Sequence, residues 1–140
     1  MLKPIISFLF LFLFVSMNAQ SPVGVWKNYD DKDGKEKSHI EIYEKNGKLC
    51  GKVIKLLPGA TLTNCVKCQG AKKGKSLVGM DILWNLTKVG NTYDNGTIID
   101  PKSGKEYDCK IELDGKDQLN VRGYMGVSIF GKTQIWKRVI

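Results

Sequence analysis

Apolar and polar residues alternate along several short segments of the chain, beginning near Val23. In segment 38–44 isoleucines alternate with polar residues, and in segment 107–113 tyrosine, cysteine, isoleucine and leucine occupy every second position. A period of two residues is typical of a strand with one buried face. No segment after residue 20 is long and periodic enough to predict a helix. The pattern therefore predicts about eight β-strands.

Turn-forming residues separate the predicted strands. Asn46-Gly47 favours the left-handed dihedral angles of a type I′ hairpin, and Pro101 followed by Gly104 is typical of a four-residue turn. Strands joined in this way form an antiparallel meander. A meander with one apolar face must curl or stack to hide that face, and closure also removes its exposed edges. The expected fold is all-β, a single small antiparallel meander barrel of about eight strands.

The alternation also predicts which residues face the interior of this barrel. An eight-stranded barrel is just wide enough inside for side chains or for one small ligand. Whether the interior is a ligand cavity or a solid core therefore depends on how bulky the inward residues are, and both alternatives stay open. The expected inward positions are Met80, Ile82, Trp84, Leu86, Ile111, Leu113, Leu119 and Val121.

The first 19 residues have the order of a secretory signal peptide. Lys3 precedes an apolar run from Ile5 to Val15, and small and polar residues follow up to Ala19. This run is too short to cross a bilayer comfortably. We expect cleavage near Ala19 or Gln20, one domain over residues 20–140, and a periplasmic or secreted product that does not span the membrane. The alternative is an uncut N-terminal membrane anchor.

The chain is basic, with 22 lysines and arginines against 14 acidic residues and a formal net charge of +8. Such a charge favours anionic partners. Nucleic-acid readers depend on arginine for bidentate base contacts, whereas the arginines here are Arg122 and Arg138 alone and the lysines are scattered. We therefore expect no nucleic-acid partner. The lysines are interpreted mainly as a solubilising surface, with an anionic envelope surface as a candidate partner.

The four cysteines fall into two groups. Cys65 and Cys68 lie in segment 60–76, which lacks periodicity and is predicted to be a long loop. For an exported protein a structural disulfide between them is the favoured interpretation, since a redox pair needs a helix N-terminus and a four-cysteine zinc site needs a second Cys-x-x-Cys. Cys50 and Cys109 lie in predicted strands, and they either bridge each other or remain buried thiols.

Residues suited to catalysis are sparse. His39 is the one histidine and lies on the polar side of a predicted strand, with no nucleophile motif near it. Asp30, Asp31 and Asp33 resemble the start of a calcium loop, but the twelfth position, Glu41, falls within a strand. The sequence therefore predicts no catalytic residue, no cofactor and no metal site.

An aromatic and a cationic residue stand near opposite ends of the chain. Trp26 opens the first predicted strand and Arg138 belongs to the last. In a closed barrel these strands are neighbours, so the guanidinium group can cover the indole ring and close the barrel floor. The alternative is that both are ordinary amphipathic strand residues.

A set of short motifs resembles known protein families. Gly24-x-Trp26 with the late Arg138 resembles the lipocalin signature, and nearly all of residues 20–140 resembles the bacterial domain family of unknown function DUF2147. The matching motifs are Gly24-Val25-Trp26, Ile42-Tyr43-Glu44 with Gly47-Lys48-Leu49, Cys65-Val66-Lys67-Cys68-Gln69-Gly70, Gly96-Thr97-Ile98-Ile99-Asp100-Pro101 with Gly104-Lys105-x-Tyr107, Arg122-Gly123-Tyr124-Met125-Gly126, and Gly131-x-Thr133-Gln134-x-Trp136. The resemblance implies an exported lipocalin-like barrel and no established reaction or ligand.

These observations lead to two hypotheses from different classes. The first is a non-catalytic, monomeric barrel that holds a small apolar or amphipathic ligand, with Trp84, Tyr107 and Tyr124 as candidate contacts. The second is a solid-core structural or interaction protein that uses its basic surface and the Cys65–Cys68 loop to contact anionic envelope material or another protein. An enzyme ranks third, and a cluster of His39 with two carboxylates would be its sign.

Overall fold

Eight strands form one closed antiparallel barrel in a computed structural model that describes residues 4, 20–127 and 131–140. Each strand pairs with its neighbours in chain order, and β1 pairs with β8 to complete the ring. The expected all-β meander barrel is confirmed. The predicted signal peptide, residues 1–19, lies outside the described residues except for Pro4. The strands are β1 Gly24–Tyr29, β2 Glu36–Lys45, β3 Lys48–Leu56, β4 Asp81–Val89, β5 Thr92–Ile99, β6 Glu106–Asp114, β7 Gln118–Tyr124 and β8 Gly131–Arg138.

The connections between strands divide the barrel into two ends. At one end, called the open end here, lie the β1–β2, β3–β4 and β5–β6 connections, the end of β7 and the start of β8. At the other, the closed end, lie the tight turns β2–β3, β4–β5 and β6–β7, together with the start of β1 and the end of β8. Since a meander reverses direction at each turn, successive connections alternate between the two ends. The strand bounds show that the tight turns lie at the closed end and the longer connections at the open end.

The closed half of the barrel has a solid apolar core. Its side chains come from five strands and are fully buried, so each stabilises the fold by about 1.5–3 kcal/mol through burial. They are Trp26, Ile40, Ile42, Leu86, Ile111 and Leu119. Of the two alternatives for the interior, the closed half therefore has the solid core.

The β3–β4 connection, residues 57–80, is the longest connection between strands. Part of segment 71–80 lies over the outer face of β3 and β4, while Leu62 and Leu77 pack with Val53 and Ile82. It contains one turn of 3₁₀ helix, Gly70–Lys72, and one isolated bridge between Asn64 and Ser76. Cys65 and Cys68 are joined by a disulfide with their Cα atoms 5.3 Å apart. Among the described residues no helix combines the length and apolar character needed to cross a membrane.

The expected inward orientation of Trp84 is wrong. Trp84 is half-buried and lines a groove between the outer wall and the β3–β4 connection, while Leu83 and Leu86 are fully buried in the core. The register between β3 and β4 shifts on both sides of Gly51, and Asn85 has a positive φ of 61°. Such irregularities place an extra residue in the strand and interrupt the alternation of faces. The period of two therefore fails in the middle of β4.

The structure contains no bridge between Cys50 and Cys109, and both remain buried free thiols. Cys109 belongs to the interior core, whereas Cys50 lines the groove outside the wall. The two cysteines also lie on β3 and β6, which are separated in the sheet by β4 and β5. They are therefore on opposite sides of the wall and too far around the ring to pair. Of the two alternatives for these cysteines, the structure has the buried thiols.

Candidate functional site

The open half of the barrel contains a cavity of about 610 Å³ that opens to solvent among the connections. Volumes of about 300–1,000 Å³ are typical of small-molecule sites. Apolar and aromatic residues of β4 to β8 line it: Ile82, Ile98, Ile99, Tyr107, Val121 and Trp136. The interior is therefore filled in its closed half and hollow in its open half.

Gly123 leaves space in the wall of this cavity. A Cβ atom at this position would lie 3.5 Å from Cγ2 of Ile98 and 3.6 Å from Cβ of Tyr107, which are ordinary contact distances. A larger side chain would therefore fit the backbone and project among the residues that line the cavity. The missing side chain contributes directly to the volume of the site.

Two turns of the same form flank the mouth of the cavity. In segments 30–35 and 100–105 the first residue is an aspartate whose N–H donates to the carbonyl of the sixth residue, at 2.8 and 2.9 Å. The carbonyl of each aspartate accepts the N–H of a glycine four residues later, at 3.0 and 2.8 Å. Both glycines have a positive φ near 70°, a region that glycine enters without steric cost. The sequence pattern Asp-x-Lys-x-Gly-Lys, shared by both segments, produces this turn.

An ion pair joins the two turns. Lys102 donates to Oδ2 of Asp30 at 2.6 Å, and Asp30 is buried. The pKa of Asp30 is held well below its usual range. The largest cause is this charged hydrogen bond, and hydrogen bonds from two backbone N–H groups of its own turn add to it. The same contact raises the pKa of Lys102. Both groups therefore stay charged, and one side of the mouth is fixed.

The remaining charges at the mouth are unevenly paired. Asp31 accepts hydrogen bonds from the amide of Gln134 at 3.2 Å and faces the ammonium group of Lys132 at 3.3 Å. Lys32 and Lys37 also line the cavity, and no carboxylate within residues 20–127 or 131–140 pairs with either. The mouth therefore presents two ammonium groups beside an apolar interior.

The three aromatic candidates for ligand contact separate in the structure. Tyr107 and Tyr124 line the cavity, whereas Trp84 lies in the groove outside the wall. The hydroxyl of Tyr124 donates to Oδ1 of Asp94 at 2.7 Å, and this bond together with burial raises the pKa of Tyr124 to about 12. The Tyr124 hydroxyl is therefore neutral, and its proton is used in the hydrogen bond to Asp94. No described residue hydrogen-bonds the Tyr107 hydroxyl, which is left to orient a polar group.

At the closed end Trp26 and Arg138 lie against each other. The guanidinium carbon is 4.3 Å from the centroid of the indole ring, and the two residues are paired across β1 and β8. Gly24 permits this approach, because it has a φ of 140° and a Cβ there would lie 2.6 Å from Nη1 of Arg138. The guanidinium group also donates to three backbone carbonyls, those of Ser21, Val23 and Lys116. These contacts tie the start of β1, the end of β8 and the β6–β7 turn together.

His39, the histidine considered for catalysis, lies apart from the cavity. It lies on β2 between Lys27 and Lys55. In residues 20–127 and 131–140, no three side chains of histidine, cysteine, aspartate or glutamate are close enough to hold a metal ion. The arrangement described so far can enclose an apolar body and meet a polar or charged head group at the mouth.

Comparison with known proteins decides the family. Residues 24–138 match the family described as uncharacterized protein conserved in bacteria, DUF2147. The chain belongs to DUF2147. The expected family is therefore confirmed, and the match spans the whole barrel.

One solved structure is similar to this DUF2147 barrel, protein HP1028 from the human pathogen Helicobacter pylori, which is described as belonging to the lipocalin family. It is 24% identical, the similarity covers 86% of this chain and 84% of that chain, and the TM-score is 0.76. At this identity the likeness shows the fold, which is lipocalin-like. A comparison with curated proteins finds no match.

The sequence pattern missed several residues of this DUF2147 cavity. Ile98, Ile99 and the ammonium groups of Lys32 and Lys37 line it, yet none of these residues was a candidate for ligand contact. A usable signal was present. Once a meander is predicted, the β1–β2 and β5–β6 turns must lie at one end, and their shared Asp-x-Lys-x-Gly-Lys pattern marks them as neighbours at one mouth.

Proposed function

We propose that this DUF2147 protein is an exported, non-catalytic, monomeric barrel that holds a small amphipathic molecule in the cavity at its open end. The observation that carries the proposal is the combination of an apolar cavity of about 610 Å³ with an opening to solvent. A site with this lining favours a ligand whose apolar part is buried and whose polar part stays at the mouth.

The charge at the mouth supports an anionic head group on that molecule. Lys32 and Lys37 lie at the opening without a carboxylate partner among the described residues, while Asp30 and Asp31 are both engaged by lysines. An ammonium group beside an apolar cavity favours the carboxylate of an amphiphile such as a fatty acid, because the charge is met as the chain is buried. The ligand class proposed is therefore an apolar chain or ring system that carries one acidic group.

The apolar N-terminal run supports export, since residues 1–19 have the order of a signal peptide. The family description, conserved in bacteria, is consistent with a protein of the bacterial envelope. Fractionation of cells that express the full chain, followed by mass spectrometry of the N-terminus, tests this part. We expect an N-terminus near Gln20 in the periplasmic or extracellular fraction, and an uncut chain in the membrane fraction would overturn it.

Ligand binding is tested by two measurements on the protein purified from cells that express the full chain. Organic extraction and mass spectrometry identify any co-purifying amphiphile, and displacement of a dansyl-labelled undecanoic acid measures affinity. Gly123→Leu projects a side chain into the cavity and should weaken binding of the probe at least about tenfold. Val89→Leu, at an exposed position on β4, is the matched control and should leave affinity unchanged.

Two outcomes contradict the proposal. One is that neither the extract nor a series of C8–C18 acids shows binding to the folded protein. The other is that Gly123→Leu binds the probe as well as the parent chain, which would place the probe elsewhere. Either result would favour the second hypothesis, an interaction protein that acts through its outer surface.

A further inference from the structure

A second concave surface lies outside the barrel wall, between the strands and the β3–β4 connection. We call it the outer groove. It has a volume of about 950 Å³ and shares no lining residue with the cavity. The lining residues that matter here are Lys45, Lys48, Lys72, Lys75, Asp81 and Trp84.

Four lysines converge on this groove without acidic partners. Lys45 and Lys48 face each other directly across the β2–β3 hairpin, an arrangement that repels. Within the described residues no carboxylate pairs with either of them, nor with Lys72 or Lys75. The acidic residue of the lining, Asp81, accepts the hydroxyl of Tyr43 at 2.6 Å. The groove therefore carries a concentrated positive charge that an anion would neutralise.

The lysines from the β3–β4 connection are held in place. Nζ of Lys72 lies 3.4 Å from the centroid of the Trp84 ring, a cation–π contact that restrains a long and otherwise flexible side chain. The backbone N–H of Cys65 donates to the carbonyl of Lys75 at 2.9 Å. Because Cys65 is bonded to Cys68, the disulfide ties down the segment that presents both lysines. The cations are thus arranged before any ligand arrives.

The geometry points to an anionic saccharide, a short sugar chain bearing carboxylate or phosphate groups, as the ligand of the outer groove. The four lysines meet the charged groups, and the side chains of Asn46 and Asn85, which line the groove and hydrogen-bond to no described residue, meet sugar hydroxyls. The volume of about 950 Å³ suits several sugar rings rather than a simple ion. This site is independent of the proposed ligand in the cavity.

The same lining argues against nucleic acid. Arginine, which makes the bidentate contacts to bases, is absent from the residues lining the groove. Aromatic stacking platforms are the other common means of binding single strands, and here Lys72 covers the Trp84 ring. A base therefore finds neither of its usual contacts.

Tryptophan fluorescence provides a local readout. Trp84 is half-buried at the groove, whereas Trp26 and Trp136 are at most 1% exposed. We would titrate the purified protein with hexagalacturonate, with a phosphorylated mannose pentasaccharide, and with neutral maltohexaose. Saturable quenching by one or both acidic sugars, and none by maltohexaose, is the expected result. The first two probes decide whether carboxylate or phosphate is the preferred group.

Charge reversal locates the site. Lys72→Glu with Lys75→Glu should weaken binding of the preferred acidic sugar at least about tenfold. Lys110→Glu with Lys116→Glu, on β6 and in the β6–β7 turn, changes the net charge equally at residues that do not line the groove and should change binding less than about twofold. Trp84→Leu, followed by calorimetry, should also weaken binding because Lys72 loses its support. Circular dichroism verifies that each variant is folded.

Three results would overturn the proposal. Equal losses in the two charge-reversal pairs would show a general effect of net charge. Binding of maltohexaose as tight as that of the acidic sugars would remove the role of the lysines. Binding of hexathymidylate or hexaglutamate as tight as that of either acidic sugar would show a surface for polyanions in general.

Discussion

Lys102 and Asp30 connect the two matching turns at the open end, with Nζ of the lysine 2.6 Å from Oδ2 of the aspartate. The carboxylate is almost fully buried, its side chain being 6% exposed, while the lysine side chain is 39% exposed. The more exposed lysine therefore provides the counter-charge for a buried carboxylate. It also holds the β1–β2 and β5–β6 turns at a fixed separation beside the cavity.

Replacement of Asp30 should change how stability depends on pH. A carboxyl group whose pKa is lowered by folding stabilises the fold above its unfolded pKa of about 4 and loses that contribution as pH falls toward the folded pKa. Asp30→Asn should therefore lower the melting temperature by several degrees at pH 7. The difference from the parent chain should shrink between pH 4 and pH 2, measured by thermal unfolding across that range.

Asp33→Asn is the matched control, since Asp33 lies in the same turn but is exposed and makes no ion pair among the described residues. It should have little effect at any pH. A deficit of Asp30→Asn that stays constant from pH 7 to pH 2 would contradict the role given to the ion pair with Lys102.

Removal of the guanidinium group at the closed end should destabilise the barrel. Arg138 stacks on Trp26 and bonds three carbonyls, which join both chain ends of the barrel to the β6–β7 turn. We expect Arg138→Ala to cost about 2–3 kcal/mol, of which the cation–π contact contributes about 1 kcal/mol. Arg138→Lys should recover only part of this, because an ammonium group cannot reproduce the planar fork.

Urea unfolding measures the free energies of unfolding of these variants. Lys137→Ala is the control on the same strand, where an exposed lysine bonds Gln118, and it should cost about 0.5 kcal/mol or less. Equal losses for Arg138→Ala and Lys137→Ala would show that the closed end does not depend on the stacked pair.

Much of the fold could be predicted from local patterns, because the alternation of apolar and polar residues follows from strands with one buried face, and the turn residues follow from the hairpins that join them. The alternation of buried and more exposed residues continues along β2 and β6, and Trp26 and Arg138 lie on the first and last strands that closure joins. The placement of the β1–β2 and β5–β6 turns at one end follows from the meander alone.

The cavity and the outer groove depend on features that no local pattern contains. Gly123 creates space only because Ile98 and Tyr107 on other strands surround it. The Asp30–Lys102 pair joins residues 72 positions apart, and the path of the β3–β4 connection over Trp84 has no periodicity to read. Each of these is a long-range contact between surfaces, so it becomes visible only when the strands are assembled.

The number of cysteines that react with a thiol reagent should differ between the folded protein, the denatured protein and the denatured, reduced protein. Cys50 and Cys109 are buried, and burial raises the pKa of Cys109 to about 12, so neither should react readily with iodoacetamide in the folded protein at pH 8. Denaturation without reductant should expose two reactive thiols, and denaturation with reductant should expose four. Mass spectrometry of the labelled protein gives the counts.

Loss of the Cys65–Cys68 bond should have a small effect on global stability. The bond closes a loop of about four residues, for which the chain-entropy relation gives about 2 kcal/mol at most. The Cys65→Ser, Cys68→Ser variant should therefore fold, while amide exchange in the β3–β4 connection increases. Four reactive thiols in the denatured protein without reductant would contradict the assignment of this bond, and none would contradict the free thiols of Cys50 and Cys109.

Substitution of Asn85 tests whether β4 is irregular next to Trp84. Its φ of 61° is costly for most side chains and free for glycine. Asn85→Gly should therefore leave stability unchanged or raise it slightly, and Asn85→Val should cost about 1–2 kcal/mol. Asn120→Gly on β7, which has no positive φ, is the control and should cost about 0.5–1 kcal/mol through the entropy of glycine in a strand. Urea unfolding gives these values, and equal costs for the two glycine variants would show that β4 is regular at Asn85.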